Sequence, residues 1–111
     1  MLYELKENER WIKDLVGRYF VTSDGEIYSL LRKGEPKKML PATLKGRLVN
    51  YLCYLDGVGE VKYIHRLVAE VWVPNPDNKP LVRHKNGNLK DNRAKNLIWA
   101  TYSEAQTITM V

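Results

Sequence analysis

With 111 residues and a single cysteine, Cys53, the chain holds material for one domain, or one domain with a short appendage, and cannot form an internal disulfide. Hydrophobic residues make up 44% and charged residues 28%, an ordinary balance for a soluble globular protein, and no apolar run approaches the roughly 18 residues that span a bilayer. The net charge is +5, and the acidic start MLYELKENER is no signal peptide, so the expected compartment is a reducing cytoplasm and no membrane partner is expected.

In chain order, Leu2–Val16 carries a weak helical pattern, with Trp11, Ile12 and Leu15 on one side, and reads as a loop or a short helix. Tyr19–Val21 and Glu26–Leu31 are short apolar runs rich in aromatic and β-branched residues. Ser23-Asp24-Gly25 between them makes a tight turn, which predicts a hairpin. Lys33–Thr43 reads as a polar connector. Arg47–Leu55 alternates like a strand, with Cys53 as a buried strand residue, and Asp56-Gly57-Val58-Gly59 turns it back into Glu60–Ile64, a second hairpin.

The period then changes. Leu67, Val68, Val71 and Trp72 follow helical spacing within His65–Val73, with Arg66 and Glu70 outward, until Pro74 and Pro76 stop the helix. Pro80–His84 reads as a strand, Lys85–Lys95 as a polar loop and Leu97–Thr101 as a strand. Thr101 or Ser103 is placed to cap a final helix from Tyr102. The expected architecture is α+β: two hairpins, a helix, then strand–loop–strand–helix.

Positive charge is concentrated in two segments. Residues 31–50 hold Arg32, Lys33, Lys37, Lys38, Lys45 and Arg47 against Glu35. Residues 79–96 hold Lys79, Arg83, Lys85, Lys90, Arg93 and Lys95 against Asp91. Such segments are candidates for phosphate contact, although solvated surface lysines would leave the same pattern.

The stretch Ile64-His65-Arg66-Leu67-Val68-Ala69-Glu70-Val71-Trp72, Pro74-Asn75-Pro76, His84-Lys85-Asn86-Gly87-Asn88, Asn92 and Asn96-Leu97-Ile98-Trp99 closely resembles the HNH homing endonucleases of phage introns and free-standing phage genes. Trp11, Gly17, Tyr19, Val21, Ser23, Gly25 and Ile27-Tyr28-Ser29-Leu30 resemble the small module that often precedes the HNH domain there. The resemblance implies a β-rich module over 1–62 and a ββα-metal unit over 63–111, together forming one compact unit. It also implies a phage-infected bacterial host.

In such a site one divalent ion, magnesium or manganese, stabilises the scissile phosphate while a histidine deprotonates the attacking water. The resemblance makes His84 the general base and Asn96 the residue that braces the loop and orients the histidine. It puts the metal-ligand positions at Arg83 and Ala105. Arginine stays protonated and has no lone pair for a metal, and alanine has no ligand atom at all. The expectation is therefore a vestigial base, no bound metal and no small-molecule substrate. Arg83 would be free to bind a phosphate oxygen.

Two functions follow. One is a non-cleaving nuclease relative that binds DNA by its phosphates, with low sequence specificity, or binds a host DNA-processing protein as a counter-defence inhibitor. The other is an active, metal-dependent nicking endonuclease with a shifted site that uses Glu104. His65 is expected to pack or cap at a strand–helix junction. Asn86, Asn88 and Asn92 are expected to form turns, and Trp72 and Trp99 to lie in the core.

Overall fold

A computed structural model describes residues 3–31, 35–54 and 56–104. Both hairpins are present, each as part of a larger sheet. Tyr19–Thr22 (β2) pairs antiparallel with Ile27–Ser29 (β3), in the register Phe20 opposite Tyr28. Gly25, at φ +88°, takes the left-handed position of their turn, and its N–H donates to Thr22 O. Arg47–Cys53 (β6) pairs with Gly59–Tyr63 (β7), in the register Tyr51 opposite Val61.

Edge strands correct the expectation of two bare hairpins. Glu9–Trp11 (β1), within the stretch read as loop or short helix, is a strand beside β2. The polar connector supplies two more: Lys37–Lys38 (β4) beside β3, and Ala42–Leu44 (β5) beside β6. These three are short and mostly polar. Backbone bonds to a neighbouring strand hold them, and their own side-chain pattern does not announce them. The result is a four-stranded sheet in the order β1-β2-β3-β4 and a three-stranded sheet in the order β5-β6-β7.

Ile64–Trp72 forms a helix (α1) that buries Ile64, Leu67, Val68 and Ala69 and leaves Arg66 and Glu70 exposed. Leu81–His84 (β8) and Leu97–Ala100 (β9) pair antiparallel, with His84 opposite Leu97 and Arg83 opposite Ile98. A 3-10 turn over Ala94–Asn96 leads into β9. Tyr102–Glu104 are helical. Thr101 Oγ1 accepts from Glu104 N, and Glu104 Oε1 accepts from Thr101 N, so Thr101 caps the turn reciprocally.

β2, β3, β6, α1 and β9 contribute to one core, in which Tyr19, Val21, Leu52, Val68, Leu97 and Trp99 pack together. Phe20, on the opposite face of β2 from Tyr19 and Val21, is also buried, stacked between Tyr3 and Tyr28. Tyr19 ties the sheets to each other: its hydroxyl accepts from Cys53 N, and Arg18 Nε donates to Cys53 O. Cys53 is half-buried there. Trp99 is core, and Trp72 packs against it while its Nε1 donates to Val21 O.

Candidate functional site

His84 ends β8 pointing inward and is only 8% exposed. Its Nε2 lies 2.7 Å from Asn92 Oδ1, and Asn92 is buried as well. An amide oxygen can only accept, so in the neutral ring Nε2 carries the proton and Nδ1 keeps its lone pair. That is the tautomer a proton acceptor at Nδ1 requires.

Asn96 lies 12 residues on, at the end of the same loop. Its Oδ1 accepts from Asn86 N, while its Nδ2 donates to Asn86 Oδ1 and to Asp91 O. It braces the loop, but the ring of His84 is met by Asn92. Asn86 and Asn88 form local turns, accepting from Asn88 N and Lys90 N respectively. Asn92 stood in the sequence as one residue of the family resemblance and as a turn former, with nothing to show that it would meet His84. Its role appears only because the loop folds back over β8.

His65, in the first turn of α1, contacts His84, with ring centroids 5.1 Å apart. Its pKa is pushed down to about 4, first by burial and then by the neighbouring His84, Arg47 and Arg66. Its Nδ1 is buried with no partner. The ring is therefore neutral near pH 7.

The two basic segments approach each other near this loop. Gly46, in the β5–β6 turn, approaches Leu89 of the loop, which brings Lys45 and Arg47 beside the segment carrying Lys85, Lys90 and Lys95. Arg83 is half-buried on β8. Others are elsewhere or occupied. Lys37 and Lys38 lie on the outer strand β4, where Lys38 pairs with Glu26 at 2.6 Å. Arg93 is bound to Asp91 at 2.7 Å. Arg32, Lys33 and Ala105 lie outside the described residues.

As donors for a divalent ion the described side chains do not fit. Among the described residues, no group of three or more His, Cys, Asp or Glu is arranged to hold a metal. Arg83 precedes His84 and offers no lone pair. Asp91 is committed to Arg93 and Asn86, and the guanidinium holds its carboxyl well below the usual range. Glu104 accepts from Thr101 N and pairs with Lys79 at 3.1 Å. Those two partners, the Thr101 backbone first, lower its pKa.

Comparison with known proteins gives four findings. Residues 62–107 match the family described as HNH endonuclease. An uncharacterized HNH endonuclease of Acanthamoeba polyphaga mimivirus, L247, is 39% identical over 90 residues, which cover 78% of this chain and 22% of that protein. DNA endonuclease I-HmuI of Bacillus phage SP01 is 32% identical over 90 residues, covering 81% of this chain and 50% of the relative. A solved structure of DNA binding and cleavage by the HNH homing endonuclease I-HmuI aligns with a TM-score of 0.81 at 30% identity. It covers 92% of this chain and 57% of the other. The chain thus spans about half, or less, of the length of these relatives.

Proposed function

Because residues 62–107 of this chain belong to the HNH endonuclease family, we propose that it binds DNA on that scaffold and does not cut it. The observation that carries this reading is the uneven state of the site. The proton-accepting half is assembled, with His84 buried in the required tautomer on Asn92. On the metal side, Arg83 offers no lone pair, and the carboxylates Asp91 and Glu104 are engaged with cations. Without a Lewis acid at the phosphate, a histidine alone does not offset the charge that develops on the scissile group.

Binding follows from the same residues. Lys45, Arg47, Lys85, Lys90 and Lys95 line the β5–β6 turn and the loop, where they can neutralise phosphates. The Arg83 guanidinium takes a phosphate oxygen in place of a metal. These contacts are to the backbone and carry little sequence information. DNA is the ligand named for the relative I-HmuI. None of these observations points to a host protein target.

The test is to restore the ligands. Arg83→Asp with Ala105→Asn should produce magnesium- or manganese-dependent nicking of plasmid DNA that neither single variant shows, because loss of one ligand commonly costs orders of magnitude. The unmutated protein should retard DNA in a gel without cleaving it. Metal-dependent cleavage by the unmutated protein, abolished by His84→Ala, would instead establish a working endonuclease with a rearranged site.

A further inference from the structure

We propose that the β2–β3 turn is a positioning element for the His84 ring and acts through Asn92. The turn belongs to the N-terminal sheet, more than 60 residues before the loop it touches. It grips that loop twice. Ala94 N donates to Ser23 O at 2.8 Å. Two residues further along the turn, Gly25 lies so close to Asn92 that a Cβ there would sit 2.6 Å from the Asn92 carbonyl oxygen and 2.8 Å from its carbonyl carbon. Both atoms are backbone and cannot swing aside, and Gly25 has φ +88°, so only glycine permits this approach.

The backbone on both sides of Arg93 is therefore pinned to the N-terminal sheet. From that fixed backbone the Asn92 side chain reaches His84 Nε2 at 2.7 Å in a buried setting. Asn96 secures residues 86 and 91, but none of its bonds reaches residue 92. The tautomer of His84, and with it the free lone pair at Nδ1, thus depends on an element outside residues 62–107. The inference rests on reading His84 as the retained base of the HNH site. Its test needs neither DNA nor metal nor cleavage, so a failure of the DNA-binding reading would leave it standing.

The experiment is two-bond proton–nitrogen NMR of the imidazole rings in uniformly 15N-labelled protein, in mildly alkaline solution. There are two histidines, and His65→Gln assigns the signals. His84 should show one tautomer with its proton on Nε2. Asn92→Ala should give a mixture of tautomers, whereas Asn92→Asp, which keeps an acceptor, should preserve the single form. Gly25→Ala should behave like Asn92→Ala. Gly57→Ala is the control for backbone strain, since Gly57 has φ +85° with nothing within 4 Å, and it should leave His84 unchanged. Ala94→Pro removes the bond to Ser23 at the first position of a 3-10 turn, where proline fits, and decides the matter if Gly25→Ala does not fold. A wild-type ring protonated on Nδ1 would overturn the proposal. So would a folded Gly25→Ala or Ala94→Pro protein whose His84 signals match the wild type.

Discussion

Two histidines in contact divide their roles by environment. His84 has its Nε2 matched to an acceptor, whereas His65 has a buried nitrogen without a partner and a pKa near 4. For His65 the folded-state value lies below the ordinary 6.5, so acid favours the unfolded chain, which takes up the proton first. Stability should be full above about pH 6.5 and should fall as the pH drops from there towards 4. The ceiling is about 3 kcal/mol for a shift of this size, reduced by the partial exposure of the ring. Chemical denaturation at a series of pH values checks it: His65→Gln should flatten the profile between those limits. An unchanged slope in that variant would place the acid sensitivity elsewhere.

At the level of elements, α1 holds the two sheets and the β8–β9 pair together. Val68 is fully buried on its inner face, within the core that joins β2, β6 and β9. Val68→Ala removes two methyl groups from a closed site and should cost about 2 kcal/mol. Because one core serves all these elements, the loss should lower a single transition. Far-UV circular dichroism and tryptophan fluorescence, the latter reporting from Trp11, Trp72 and Trp99, should move to the same lower midpoint. Separate midpoints for the two probes would mean that residues 1–62 and 63–111 unfold independently.

For the whole molecule, charge placement decides how it meets a polyanion. The β5–β6 turn and the loop over β8, both carrying cations, approach each other, although some 40 residues separate them in the chain. If about five of them neutralise phosphates, DNA affinity should fall on the order of 10²–10³-fold between roughly 50 and 200 mM salt. Fluorescence anisotropy with a labelled duplex measures that slope, and Lys85→Ala or Lys90→Ala should each reduce it by about one contact. An affinity insensitive to salt would show that phosphate contact is not how this surface binds.

The hairpins, α1 and the β8–β9 pair were legible in the sequence because each carries a local signal. Gly25 and Gly57 mark turns, Pro74 and Pro76 end a helix, and the apolar period changes at Ile64. His84 and Asn96 were legible as site candidates because their spacing and surroundings resemble a known motif. The edge strands β1, β4 and β5 were not, since hydrogen bonding to a neighbouring strand creates them and a short polar run does not encode its partner. The same reason hid the contact of Asn92 with His84. One asparagine among several in a polar loop looks like a turn former until tertiary packing sets Gly25 against its backbone and turns its amide to the histidine ring. Local chemistry chose the residues, and only contacts across the chain decided which of them would touch.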